Sequence, residues 1–118
     1  MNVEEFRDYC LLKPGTTEGF PFDETTLVFK VMGKMYALTN VDLFEGINLK
    51  CDPERALELR EENDGIQPGY HMSKKHWNTV STDGRVEDSL LFELIDHSYD
   101  LVVKSLTKKL QAELATMV

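Results

Sequence analysis

Two apolar runs joined by a two-residue turn constrain this chain more than any other feature. Thr26-Leu27-Val28-Phe29-Lys30-Val31-Met32 and Met35-Tyr36-Ala37-Leu38-Thr39 are rich in β-branched and aromatic residues, and Gly33-Lys34 connects them. Such a short, glycine-containing link favours the turns that bring two strands into antiparallel pairing. A third segment, Ile47-Asn48-Leu49-Lys50-Cys51, alternates. Ile47, Leu49 and Cys51 then share a buried face while Asn48 and Lys50 turn away, which predicts a sheet with one face partly open.

Helix signals flank these strands. Asn2 is placed to cap a first helix, with Glu5 completing a capping box and Val3, Phe6 and Cys10 at helical spacing. That helix is predicted to end at Lys13-Pro14-Gly15, and residues 16–21, mixing Gly, Pro and Thr with the aromatics Phe20 and Phe22, read as a loop pinned to the core at one end. Asp52-Pro53-Glu54 supplies an N-cap, a proline at the first helical position and an acid suited to the macrodipole. Asn63-Asp64-Gly65 stops this second helix, a strand is predicted over 77–81, and Asp83-Gly84 turns the chain. The last long helix starts near Val86, with Leu90, Leu91, Leu94, Ile95, Leu101, Val102 and Leu106 as its apolar stripe. Leu106, Leu110 and Leu114 recur every four residues, so the helix either continues or gives way to a short one that packs back or meets a partner. Residues 1–118 therefore read as a single domain in which 106–118 form a C-terminal helical extension. The order of elements implies an α+β, two-layer architecture, an antiparallel sheet packed with helices.

Composition narrows the function. A chain of 118 residues can build one core without disulfides or a structural metal. Its formal net charge is −8, and residues 1–69 hold 7 basic and 14 acidic side chains against 6 and 7 in the remainder. Nucleic acid must then be met by a local basic patch. Cys10 and Cys51 suit a reducing compartment better than a disulfide framework. The acidic opening Met1-Asn2-Val3-Glu4-Glu5 lacks the basic-then-apolar order of an export signal. No apolar run approaches the roughly 20 residues that cross a bilayer. A cytoplasmic location and no membrane partner are expected.

Catalytic spacings are missing. His71 and His76 lack the ligand spacing of a zinc site, so hydrogen-bonded loop histidines are favoured and no metal is expected. Asp96 and His97 diverge as helix neighbours, and His97 is expected to meet Glu93 or Asp100 on the helix surface. No nucleophile elbow surrounds a serine, the glycines form no phosphate loop, and the Glu58, Glu61, Glu62 and Asp64 cluster reads as a solvated helix face. No enzyme activity and no cofactor are expected. One stretch, Tyr70-His71-Met72-Ser73-Lys74-Lys75-His76-Trp77-Asn78-Thr79, carries bases, aromatics and an amide with no acid. Its lysines suit phosphates, Trp77 or Tyr70 a stacking surface, and Asn78 a base edge. For Trp77 itself, a place as the main aromatic of the core is favoured over a contact, because a lone tryptophan usually buries much of its ring.

The chain resembles the MmcQ/YjbR family of small bacterial proteins. The likeness runs through Cys10-Leu-Leu-Lys-Pro-Gly15, Phe20-Pro-Phe22, Leu27-Val-Phe-Lys-Val31, Gly33-Lys-Met-Tyr-Ala37, Leu49-Lys-Cys-Asp-Pro-Glu54, Pro68-Gly-Tyr-His-Met72, Lys75-His-Trp-Asn-Thr-Val80 and Leu94-Ile-Asp-His-Ser-Tyr-Asp-Leu-Val102. It implies a YjbR-like fold, α-β(3)-α-β(2)-α, similar to type III secretion chaperones, in a cytoplasmic bacterial setting. It also implies a double-wing DNA-binding role in which hairpins act as wings, with no established catalytic residues. On this chain the implied contact set is Lys74, Lys75, His76, Trp77 and Asn78, joined by Lys34 at the first hairpin turn and Arg85 after the second. Double-stranded DNA is the expected partner. The alternative is a protein-binding or chaperone-like adaptor that uses the acidic surface or the leucine-spaced tail, and oligomeric state is left open.

Overall fold

Asn2 opens helix α1 (Val3–Leu11), accepting the Glu5 N–H at 2.8 Å while Glu5 Oε1 accepts the Asn2 N–H at 3.2 Å. This is the predicted capping box, seen in a computed structural model that describes residues 1–118. Four strands follow: β1 (Thr16–Gly19), β2 (Thr26–Val31), β3 (Lys34–Asn40) and β4 (Gly46–Lys50). Helix α2 (Pro53–Glu62) is capped by Asp52, whose carboxylate accepts the Arg55 N–H at 3.2 Å. Strands β5 (Ile66–Pro68) and β6 (Trp77–Ser81) form the second hairpin, and α3 (Asp88–Ser105) and α4 (Lys108–Ala115) complete the chain.

The α+β, two-layer reading holds, with one strand more than expected. Residues 16–19, expected as loop, pair with β2 from Thr16↔Val31 to Gly19↔Val28. This edge strand is half-exposed and has no apolar alternation to betray it. Gly15, at φ +72°, turns the chain into it, and Arg7 Nε grips Glu18 at 2.8 Å from α1. Phe20 and Phe22 are not pinned to the core either, being 49% and 63% exposed.

All six strands pair antiparallel in the order β1-β2-β3-β4-β6-β5. Register assigns side chains to faces, because residues directly opposite point the same way. Leu27, Thr39, Ile47, Val80 and Ile66 form one cross-strand row, and Phe29, Ala37, Leu49 and Asn78 the next on that face. Both rows meet Phe6 of α1, Ala56 and Leu59 of α2, and Leu91, Leu94 and Ile95 of α3 in one core. Gly19, Val28, Leu38, Asn48, Thr79 and Gln67 form the row on the opposite face, which no helix covers.

Polar bonds lock the helices down. Ser98, fully buried, accepts the Lys50 N–H at 2.9 Å and donates to the Tyr36 carbonyl at 2.5 Å, tying α3 to β4 and β3. Asp96 accepts from Tyr9 at 2.7 Å and from Lys13 at 2.5 Å, and the Lys13 ammonium sits 5.0 Å from the centroids of both Tyr9 and Tyr99. Ion pairing and cation–π attraction thus join the end of α1 to α3. The leucine spacing of the tail resolves into a separate helix that packs back. Leu106 leaves α3 in extended backbone, Thr107 caps α4, and Leu106 and Leu114 are both buried in the main core.

His97 departs from expectation. Its Nε2 accepts the Asp52 N–H at 3.1 Å, joining α3 to the start of α2, while Glu93 takes Arg55 at 3.0 Å. Burial lowers its pKa, and Arg55 and Lys104 add to the effect against Asp52 and Asp100. A neutral ring accepts this bond and a protonated one cannot, so the contribution is present above the unfolded pKa and lost as pH falls through the lower folded one. Melting temperature is expected to fall from about pH 7 to about pH 5.5, and less steeply in His97→Gln; equal slopes in a thermal-melt series would remove the assignment.

Candidate functional site

The fold sorts its connections by charge. The β2–β3 turn, the β4–α2 junction and the β5–β6 loop emerge at one end of the sheet, since Lys50 faces Trp77 across β4 and β6 and the Cys51 N–H donates to the His76 carbonyl at 2.8 Å. Lys34, Lys50, Lys74 and Lys75 stand at this end, and Lys104 joins them through the end of α3, where Lys34 Nζ donates to the Ser105 carbonyl at 3.3 Å. Lys108 and Lys109 follow in the first turn of α4. None of these seven is among the five ion pairs of the molecule. The loops at the other end carry Asp23, Glu24, Asp42, Glu45, Asp64, Asp83 and Glu87 against Arg85 alone.

The residues singled out from sequence divide accordingly. Lys74, Lys75 and His76 are exposed together in the β5–β6 loop, and Lys34 is exposed two strands away at the same end. Arg85 is elsewhere: it lies beyond the far end of β6, bound to Asp83 at 3.0 Å, with further bonds to Ser81 Oγ and the Asp64 carbonyl. Asn78 does not offer its amide to solvent. It is 2% exposed on the helix side, accepting from Arg60 Nε at 2.6 Å and donating to the Ala56 carbonyl at 3.4 Å. Its place opposite Leu49 explains this, because that row faces α2. Trp77 is buried, as its residue type favoured, and so is not a contact surface for bases, but it sits in a second, smaller cluster instead of the main core. It is 9% exposed, yet it packs on the helix-free face with Val28, Leu38, Met35 and Met72, apart from the main core.

Arg60 is the residue that sequence reasoning missed. From the last turn of α2 it also donates to the carbonyls of Lys74 and Trp77, so one guanidinium fixes both ends of the lysine-bearing segment. No spacing announces such a role, because its partners are carbonyls brought in by the sheet. Lys50 is a second omission, since its alternation marks it only as an outward strand residue.

A groove of about 1060 Å³ occupies the helix-free face, floored by Leu38, Asn48, Thr79 and Gln67 and bordered by Phe22, Leu43 and Tyr70. His71, also on its border, has φ +57°, a left-handed backbone that a non-glycine residue adopts at a cost. The thiols lie outside this surface. Cys10 and Cys51 are buried and unpaired, and burial pushes the Cys10 thiol up to about 12 and the Cys51 thiol up as well. No helix is long and apolar enough to cross a membrane.

Comparison with known proteins agrees with this architecture. The YjbR family model matches residues 11–101. The chain is 33% identical over 110 residues to the uncharacterised protein YjbR of Escherichia coli (strain K12), covering 92% of this chain and 93% of that one. It is 40% identical over 91 residues to the uncharacterised protein YbdF of Escherichia coli O157:H7, covering 76% and 75%. Among solved structures, Deinococcus radiodurans protein DR2400, with domain DUF419, superposes with a TM-score of 0.90 at 47% identity over 97% of this chain and 88% of that one. A Pseudomonas syringae protein superposes at 0.73 with 34% identity, over 86% and 98%.

Proposed function

This chain belongs to the YjbR family, and from that premise we propose that it is a non-enzymatic DNA-binding protein that meets the duplex with the two-hairpin end of its sheet. The observation that carries the reading is the segregation of charge. Seven lysines without carboxylate partners gather at one end, while the loops of the other carry seven of the chain's 21 acids against one arginine. Within a net charge of −8 this leaves a local excess of lysine at one end, and the acids of the far loops orient that end toward phosphate.

The two hairpins supply the geometry. Lys34 on β3 and Lys75 ahead of β6 are separated by two strand spacings, roughly 10 Å, with Lys50 of β4 between their strands. That separation is comparable with the major-groove width of about 12 Å. Asp52, the acid nearest this gap in sequence, is occupied in capping α2. Phosphate contact by lysines fixes position and carries no sequence code, so binding should be weakly selective among sequences.

Fluorescence anisotropy of a labelled duplex tests this. Saturable binding is expected in about 50 mM salt, falling at least about tenfold by about 200 mM as counterions return to the phosphates. Absence of saturable binding at the lower salt would end the reading.

A further inference from the structure

We infer that the helix-free face of the sheet docks a basic, apolar segment of a protein partner, laid in extended form across the strands. This surface shares only the Tyr70–Met72 part of the β5–β6 loop with the lysine-bearing end, and its role is independent of the DNA reading. The groove is large, about 1060 Å³, and its border exposes three bulky apolar side chains, Phe22 at 63%, Leu43 at 64% and Tyr70 at 71%. Scattered exposed apolar residues need no explanation, but here they ring one concavity.

Tyr70 is held ready for contact. Its N–H donates to Thr79 Oγ1 at 3.0 Å, Thr79 Oγ1 donates to Asn48 Oδ1 at 2.5 Å, and Asn48 Nδ2 donates to the Tyr70 carbonyl at 3.3 Å. This closed ring fixes the backbone that carries the exposed phenol to the floor of the groove. The Tyr70 and His71 rings lie 4.0 Å apart, with His71 itself held at the left-handed φ of +57°. A backbone fixed before binding leaves only side-chain freedom to be lost on contact, which lowers the cost of using this aromatic as an interface anchor.

Charge and shape select the occupant. Asp23 and Glu45 line the groove, and Asp42, Asp64 and Asp83 stand on the loops around its acidic end. Arg85, the one arginine of the border, is already paired with Asp83. Such a field repels a phosphate backbone and attracts lysine and arginine. From β2 to β5 the face spans four strand spacings, about 19 Å, the length of about six extended residues. On its floor, beside the apolar Leu38, Gln67 donates Nε2 to the Asp64 carbonyl at 3.2 Å and leaves its side-chain oxygen to accept from a peptide N–H. Gly46 keeps the floor low, because a Cβ there would come within 3.0 Å of Thr79 Cγ2 and 3.2 Å of the Val80 carbonyl oxygen.

The probe is a displayed library of random peptides about eight residues long, panned on the full chain, followed by anisotropy with the recovered sequence in labelled form. Enrichment of lysine or arginine interleaved with apolar residues is expected. Affinity should fall at least about tenfold in Tyr70→Ala/Leu43→Ser and in Glu45→Lys, and stay unchanged in Lys74→Glu/Lys75→Glu. These side chains are exposed, and coincident thermal melts check that the variants remain folded. Recovery of no enriched sequence, recovery of acidic ones, or indifference to the groove variants would overturn the inference. So would competition by a single-stranded oligonucleotide. Sedimentation of a dimer that Tyr70→Ala dissolves would assign the face to a second copy instead.

Discussion

Lys74→Glu/Lys75→Glu is expected to lower duplex affinity roughly 100-fold or more in about 50 mM salt, and to flatten the salt dependence by about 0.9 in log–log slope for each phosphate no longer neutralised. Both side chains are exposed in the β5–β6 loop, so the exchange removes two cations and adds two anions without opening the core. Arg85→Glu makes the contrast. That residue stands beyond the other end of β6, engaged with Asp83, and its reversal should alter affinity by less than about twofold at about 0.1 M salt, since the five residues of β6, about 16 Å of strand, separate it from the loop by more than a Debye length of about 10 Å. Lys34→Glu should fall between the two. Anisotropy across a salt series separates these outcomes, and equal reductions in the Arg85 and Lys74/Lys75 variants would dissolve the assignment to one end.

Arg60→Ala is expected to cost about 2–4 kcal/mol of folding stability, since a charged donor leaves three acceptors and one of them is buried. The guanidinium holds Asn78 Oδ1 at 2.6 Å and the Trp77 carbonyl at 3.3 Å, and it also bonds the Lys74 carbonyl. Asn78 is 2% exposed, so water cannot replace the missing donor without disturbing the packing of α2 on the sheet. Arg60→Lys should recover little, because an ammonium lacks the planar fork that serves several acceptors at once. Urea denaturation measures the change. Under native conditions, tryptic cleavage after Lys74 and Lys75 should accelerate relative to cleavage at Lys104, since the loop would be released at both of its ends. Stability within about 0.5 kcal/mol of the parent would show that the bridge contributes no more than a surface interaction.

Where the chain states its structure locally, the sequence was sufficient. The capping box at Asn2 and Glu5, the Asp52-Pro53 helix start, the hairpin across Gly33-Lys34 and the alternation of Ile47, Leu49 and Cys51 all depend on near neighbours. What escaped depends on distant partners. β1 is a strand because β2 lies beside it and Arg7 holds Glu18, neither of which residues 16–19 reveal on their own. The tail folds back because Gly15 leaves room for it; a Cβ there would come 2.6 Å from Leu114. His97 found the backbone of Asp52, 45 residues away, and not the acids one helical turn from it.

The candidate site was legible in composition and illegible in orientation. An acid-free stretch with two lysines did mark one of the exposed loops. Face assignment, however, requires cross-strand register, and a change of one position sends neighbouring side chains to opposite sides. Trp77 and Asn78 are adjacent in sequence yet serve the open face and the helix side. Distinguishing Arg85 from Lys75 needed the direction of β6, which separates the loops at its two ends. The gathering of lysines from four different connections at one end is a property of topology alone.

Trp77 gives the molecule an optical property of its own. It is the sole tryptophan, it is 9% exposed, and it shares a small cluster with Leu38 and Met72, both of which line the groove, while its own strand begins where the lysine loop ends. Its emission wavelength and quenching are therefore sensitive to solvent at two separate surfaces. An occupant of the open face would lie against Leu38 and Met72 and so reach the indole through its own cluster. The unlabelled protein thus carries a single fluorophore at the seam between its two candidate surfaces, readable without any dye.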